Sequence, residues 1–275
     1  MTSSVSRAFA EVIGDPIDHS RSPLIHNFWL KALGIDAEYR RSRVDRDGLE
    51  AYVAAVRADQ AWKGSNVTMP LKLDALDLAD EASDRAVAAG AANLLLPRDG
   101  KLRAGNTDVG AIALLLDRAA KAGASLGRIA LFGNGGAARG ALVGLKLLGL
   151  TNVRLHVRDR AAAMKLAVEF GLDWEPVEIT ARVDADVLIN ATPLGMAGND
   201  CLNCDLSHMP STGIVFDMVT EPVDTPLLVE ARSRGLAVIT GFDMLVEQAA
   251  TSFRLMFGQD APRDRDAELM LLLRA

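Results

Sequence analysis

Cysteine is almost absent. Cys201 and Cys204 are the two in 275 residues, too close together to staple a fold, so a reducing compartment fits best. The spacing could hold a metal or work in redox, but no second ligand pair accompanies it, and both are read as loop residues. No uncharged apolar run approaches the roughly 20 residues needed to span a bilayer. Ala141 to Leu150 comes nearest and is interrupted by Lys146. Met1 to Ala10 lacks the apolar stretch of a secretion signal. Positive charge is also short, since 30 Lys and Arg against 36 Asp and Glu give a formal net charge of −6. An acidic chain is a poor partner for nucleic acid, although a local basic pocket for one small anion stays open. Repeats, low-complexity tracts and a catalytic zinc signature are missing too. These absences leave a cytoplasmic protein, with neither membrane nor nucleic acid as partner and no metal; the sequence is compatible with a monomer or a homodimer.

What remains is ordinary for a packed chain, with 49% hydrophobic and 24% charged residues. The length suits two modest domains. Alternating strands and helices fill both halves and imply parallel pairing through right-handed crossovers. In the first half, strands are expected at Ala8–Ile13, Ala37–Val44 and Trp62–Val67, and a hairpin around Asp99-Gly100. Helices are expected to start at Ser22-Pro23, with the serine as cap, at Gly48, and at Pro70. In the second half, an apolar helix from Asp108 precedes strands at Arg128–Phe132, Val153–Val157, Val187–Asn190, Ile214–Phe216 and Ala237–Thr240. The end of the chain, from about Asp243, is helical. The expected division is residues 1–107 with 243–275 as one domain, and 108–242 as the other. The fold class is α/β: a substrate domain plus a Rossmann-type dinucleotide domain, with the active site in the cleft between them.

The loop Gly133-Asn134-Gly135-Gly136-Ala137-Ala138 fits G-x-G-x-x-G/A, and it follows an expected strand and opens an expected helix. Gly133 permits a tight turn, Gly135 lets backbone approach a pyrophosphate, and the helix N-terminus offers free N–H groups to the anion. At the end of the next strand, an acidic residue selects the ribose of NAD and an arginine selects the phosphate of NADP. Arg158-Asp159 offers both, so NADP is expected and NAD stays open.

Five segments, in order along nearly the whole chain, resemble the shikimate dehydrogenase family. They are Gly14-Asp15-Pro16-Ile17-Asp18-His19-Ser20-Arg21-Ser22-Pro23-Leu24-Ile25-His26-Asn27, Gly64-Ser65-Asn66-Val67-Thr68-Met69-Pro70-Leu71-Lys72, Gly105-Asn106-Thr107-Asp108-Val109-Gly110, Asn190-Ala191-Thr192-Pro193-Leu194-Gly195-Met196 and Met244-Leu245-Val246-Glu247-Gln248-Ala249. The resemblance implies that Ser20 and Ser22 hold a substrate carboxylate, and that Asn66, Thr68, Asn93, Asp108 and Gln248 bond ring hydroxyls. It implies Lys72 and Asp108 as the catalytic pair. Gly133, Asn134, Gly135, Gly136 and Ala137 would hold the pyrophosphate, with Arg158 and Asp159 at the adenosine end and Met218 and Gly241 by the nicotinamide. The implied reaction is the reversible NADP(H)-dependent reduction of 3-dehydroshikimate to shikimate.

The chemistry agrees. A ketone reduced by hydride becomes an alkoxide that needs a proton, which a lysine ammonium can supply while a carboxylate orients it. His19 and His26 are then not needed as acid or base and are read as structural. Four departures from the family pattern stand out: Leu94 after Asn93, Thr220 in place of the usual tyrosine, Asp159 after Arg158, and Ala162 in place of a second basic residue. They keep open a quinate or amino-shikimate dehydrogenase using NAD and, outside enzymes, a metabolite sensor.

Overall fold

The computed structural model describes residues 7–274; residues 1–6, part of the stretch read above for a leader, lie outside them. The chain divides into two compact units. One runs up to Thr107 and resumes at Val246, and the other is Asp108–Leu245.

The first unit is built on a six-stranded sheet in the order β2-β1-β3-β5-β6-β4. Strands β1 (Ala8–Gly14), β2 (Ala37–Arg43) and β3 (Trp62–Val67) pair in parallel through the helices α1 (Ser22–Leu33) and α2 (Leu49–Ala58). The hairpin β5 (Leu94–Arg98) and β6 (Lys101–Gly105) adds antiparallel strands, and β4 (Glu81–Ala82) pairs parallel to β6, so this sheet is mixed. Alternation sorts its side chains onto two faces. Phe9, Ile13, Trp62 and Val67 face α2 with Leu49, Val53 and Val56. Glu11 shares that face. Its buried carboxylate is satisfied by Tyr52 at 2.9 Å, Arg40 at 3.3 Å and Ser42, as a buried charge must be.

Two local expectations need correction. Pro70 does not open a helix. The chain turns from Thr68 through Leu73, and only α3 (Asp74–Asp77) is helical. The carbonyls that a helix from Pro70 would use are taken by tertiary partners: Met69 accepts from the Asp15 N–H at 3.0 Å, and Lys72 from the Ala92 N–H at 2.7 Å. Ser22 is the first residue of α1 rather than its cap, because the Arg21 carbonyl already accepts from Leu24 and Ile25. The short helix α4 (Asp84–Ala89) was not anticipated, although Ser83 caps it through the Ala86 N–H.

The second unit is an all-parallel sheet in the order β12-β11-β10-β7-β8-β9. Its strands are β7 (Ile129–Phe132), β8 (Val153–Val157), β9 (Val177–Glu178), β10 (Val187–Asn190), β11 (Ile214–Asp217) and β12 (Ala237–Ile239). Numbered from β7, this is the 3-2-1-4-5-6 order of dinucleotide-binding sheets. Both faces are covered. Ile129 and Leu131 join Val187, Ile189 and Phe216 beneath α5 (Asp108–Lys121), α6 (Gly136–Leu147) and α7 (Arg160–Phe170). Ala130 and Phe132 face the other way with Leu188, Val215 and the residues of α8 (Pro226–Ser233). Burial on both sides is why β7, β10 and β11 read as largely apolar runs. The chain closes with α9 (Gly241–Phe257), a short 3₁₀ turn and α10 (Asp266–Arg274). Among the described residues no helix is long and apolar enough to cross a membrane.

Candidate active site

In the first unit, β1 ends at a loop that carries Ser20 into α1. The Ser20 hydroxyl accepts from the Ser22 N–H at 3.4 Å, which orders the turn, and Ser22 is buried at the helix start. The Asn27 amide brackets the backbone of Tyr39, donating to its carbonyl at 2.7 Å and accepting its N–H at 2.9 Å. Thr68 follows β3, its N–H bonded to the Ile13 carbonyl at 2.9 Å. Lys72 lies half-buried on the turn beyond it. The bond from Ala92 N–H to the Lys72 carbonyl ties that turn to the segment entering Asn93.

Asn66 lies on the sheet face opposite to Ser65 and Glu11. There it joins a buried polar cluster. Tyr39 donates to its carbonyl oxygen at 2.8 Å, and its amide donates to Ser252 at 2.9 Å. Asn93 donates to the Thr107 hydroxyl at 2.9 Å and accepts the Thr107 N–H at 2.7 Å. Thr107 also reaches the Gln248 side chain at 3.3 Å and Ser252 at 3.2 Å. So Asn66, Asn93 and Gln248, from three distant segments, are brought together by Thr107, Ser252 and Tyr39. Thr107 belonged to a quoted motif. Tyr39 and Ser252 gave no signal in the sequence. Rings enclose one side: His26 stacks on Tyr39 at 4.0 Å, and Trp29 meets Phe253 edge-on at 5.5 Å. Burial holds the His26 pKa down to about 3, and neither ring nitrogen has a partner among the described residues, so the imidazole is neutral. Asp108, buried, begins α5 in the second unit.

In the second unit, β7 runs into Gly133, whose φ is 106° and whose N–H donates to the His156 carbonyl at 3.0 Å. A Cβ there would press on the Ala191 carbonyl and Thr192 at 3.1 Å, so glycine is required. Gly135 precedes α6 with no side-chain cap, and apart from Gly135 and its chain neighbours no atom of the described residues lies within 4 Å of where its Cβ would stand. Open space beside uncapped helix amides fits a bound pyrophosphate. Asn134 and Gly135 are exposed, while Gly136 and Ala137 are partly covered.

Beyond β8, Arg158 is exposed. Asp159 caps α7, accepting the Ala162 N–H at 3.0 Å. Arg160 turns away and donates to the Pro176 carbonyl at 3.0 Å. At the ends of β10 and β11, Asn190 donates to Asp217 at 3.0 Å, and Thr225 donates to the same carboxylate at 2.6 Å. Burial raises the Asp217 pKa. This pair fixes the bend at Met218, because the Val219 N–H also donates to Asp217 at 3.1 Å. Gly241 closes against that bend: a Cβ would lie 2.9 Å from the Met218 carbonyl and nearer still to that of Val219. Cys204 is kept as a thiol, its pKa pushed up to about 12 by burial and then by Glu230, Asp205 and Asp217. Among the described residues no group of three or more metal-binding side chains gathers.

The chain matches the family descriptions "Shikimate dehydrogenase substrate binding domain" over residues 12–95 and "Shikimate 5'-dehydrogenase C-terminal domain" over residues 241–271. It is 44% identical to the shikimate dehydrogenase (NADP(+)) of Sphingopyxis alaskensis over 99% of both chains. Its fold is similar to that of the shikimate 5-dehydrogenase of Thermus thermophilus, solved in complex with NADP(H) and shikimate, with a TM-score of 0.85, 32% identity and coverage of 97% and 99% of the two chains. The quinate dehydrogenase of Corynebacterium glutamicum, solved with NAD, is similar at a TM-score of 0.84 and 28% identity, with the same coverage. By identity along its whole length, this chain belongs to the shikimate dehydrogenase family.

Proposed function

We propose that this protein is an NADP-dependent shikimate dehydrogenase, interconverting shikimate and 3-dehydroshikimate. The observation that carries the reading is the full-length identity to an NADP-dependent relative, shared by a chain whose buried amide cluster suits a polyhydroxylated ring. Amides and hydroxyls held in a water-poor site discriminate hydroxyl patterns strongly, because a mismatched ligand leaves buried groups unpaired.

Ser20 and Ser22 receive the carboxylate through hydroxyls at the start of α1, where the helix N-terminus favours an anion. Asn66, Thr68, Asn93 and Gln248 read the ring hydroxyls. Lys72 and Asp108 are the catalytic pair. In the oxidation direction, the Lys72 amine takes the proton from the reacting hydroxyl, and in reduction its ammonium returns it to the forming alkoxide. Asp108 is the member of the pair that orients the reacting hydroxyl. Gly133 to Ala137 hold the pyrophosphate, Arg158 and Asp159 meet the adenosine end, and Met218 and Gly241 border the nicotinamide. When bound, NADP supplies the two-electron acceptor or donor. The two units thus divide the work: the one ending at Thr107 and resuming at Val246 takes substrate, and Asp108–Leu245 takes cofactor.

A quinate dehydrogenase using NAD is the second reading, favoured by Asp159 and by the likeness to the Corynebacterium enzyme. Against it, the Asp159 carboxylate is engaged as the cap of α7. The identity to a dehydrogenase and the presence of Lys72 and Asp108 favour a catalyst over a sensor.

The test is initial-rate oxidation of shikimate and of quinate, each with NADP and with NAD. Shikimate with NADP is expected to be fastest; a quinate or NAD preference would move the assignment to the second reading. In the same assay, Lys72→Ala is expected to lower kcat by about 10²–10⁴-fold, the span for a positioned acid–base group, with a much smaller change in substrate binding. An unchanged kcat would remove Lys72 as the proton carrier.

A further inference from the structure

Asn66 has two amide hydrogens, and both stay inside the protein. One goes to Ser252 Oγ at 2.9 Å and the other to the Asn93 carbonyl at 3.3 Å. Its own carbonyl oxygen accepts from the Tyr39 hydroxyl at 2.8 Å. A side-chain amide has two donors and two acceptor sites, so one lone pair is all that Asn66 has left for a ligand.

Ser252 is the joint of this arrangement. It is fully buried in α9, one turn beyond Gln248. Its single hydrogen goes back to the Gln248 carbonyl at 3.1 Å. Its oxygen is then free to accept from Asn66, and it lies 3.2 Å from the Thr107 hydroxyl. One hydroxyl therefore links β3, the corner leading into α5 and the turn of α9 that bears Gln248. Tyr39 works from the opposite side. Its ring is clamped by the stacked His26, and its hydroxyl sets which way the Asn66 amide faces.

We infer that Ser252 and Tyr39 are positioning residues of the substrate site, acting through Asn66, and that Asn66, besides offering its one remaining acceptor site to a ring hydroxyl, is a strut that aligns Asn93, Thr107 and Gln248. The inference rests on the shikimate reading above. Removing either hydroxyl leaves a buried amide group unpaired in a low-dielectric setting and frees the Asn66 amide to rotate. A helix-interior serine bonded only to its own helix would behave in the opposite way, since alanine there raises helix propensity and disturbs nothing else.

The experiment compares wild type, Ser252→Ala, Tyr39→Phe, Asn66→Ala and the double variant Tyr39→Phe/Asn66→Ala, with steady-state kinetics in both substrates and thermal melting of each protein. Ser252→Ala and Tyr39→Phe are expected to raise KM for shikimate about five- to tenfold, with kcat within about threefold and KM for NADP within about twofold, as for loss of alignment without loss of chemistry. Tyr39→Phe is expected to add nothing once residue 66 is alanine, because its effect runs through that amide. An active wild type whose shikimate KM is unmoved by both single variants overturns the inference alone. So does a Tyr39→Phe effect of equal size in the Asn66→Ala background. A wild type that does not oxidise shikimate overturns the functional reading, and this inference with it.

Discussion

His26 shows what burial does to a titratable group that finds no hydrogen-bond partner among the described residues. Its ring lies flat on Tyr39 and edge-on to Trp29, and its pKa is held down to about 3. In the unfolded chain the same imidazole titrates near 6.5. Above that pH both states are neutral and His26 adds no pH dependence. Below it the unfolded state binds a proton that the folded state refuses until about pH 3, so stability falls steadily across that window. Melting temperature measured from pH 7.5 to 4.5 is therefore expected to drop less steeply in His26→Leu than in wild type; parallel slopes would show that another group sets the acid limb. From sequence, His26 was set aside as structural because Lys72 filled the proton-transfer role. Tyr39 and Ser252 were invisible for a different reason. Their partner Asn66 lies 27 and 186 residues away, and no local pattern marks a tyrosine or a helical serine as part of a polar cluster.

At the scale of elements, α7 carries a conflict between two roles of one carboxylate. Asp159 stands where an acid favours the ribose of NAD, yet its side chain caps the helix through the Ala162 N–H. Asp159→Thr keeps a capping oxygen and removes the charge, so the NADP-over-NAD ratio of kcat/KM is expected to rise several-fold, with a melting temperature lowered less than in Asp159→Ala. Asp159→Ala should shift the ratio likewise and cost about 1 kcal/mol of stability as the cap is lost. If neither variant changes the ratio, the residue has no part in cofactor choice. The elements themselves were largely legible. Strands β7, β10 and β11 were readable as largely apolar runs between turn signals, and the glycine loop announced the turn into α6. The expected helix at Pro70 failed because the Met69 and Lys72 carbonyls bond to Asp15 and Ala92, which a window on the local sequence does not contain.

At the scale of the molecule, the two compact units each have their own hydrophobic core. If Asp108–Leu245 holds the cofactor, NADP alone should stabilise the protein. At a concentration one hundred times its Kd, a ligand bound only by the folded state adds about 2.7 kcal/mol. That corresponds to a rise in melting temperature of roughly 5–10 °C for a unit of this size. A rise with NADP and little with NAD at equal concentration is expected in differential scanning fluorimetry; the reverse order would favour the NAD-using reading. The net charge of −6 requires any affinity for a cofactor phosphate to be local, which concentrates the expectation on the exposed Arg158.

The sequence by itself determined the α/β class, the glycine-rich loop and the family motifs, because each depends on residues close together: periodicity within an element, glycines within a turn, a motif within one short segment. It also carried the candidate pair Lys72 and Asp108 through motif likeness. Tertiary structure decided what those residues touch. It turned the Pro70 segment away from a helix, committed Asp159 to a cap, and assembled Tyr39, Asn66, Asn93, Thr107, Gln248 and Ser252 from β2, β3, the hairpin flanks and α9. Hydrogen bonds between groups far apart in the chain form only when the sheet and helices bring them into a dry interior, where every donor needs an acceptor. That requirement acts on the folded molecule and leaves no periodic trace in the sequence.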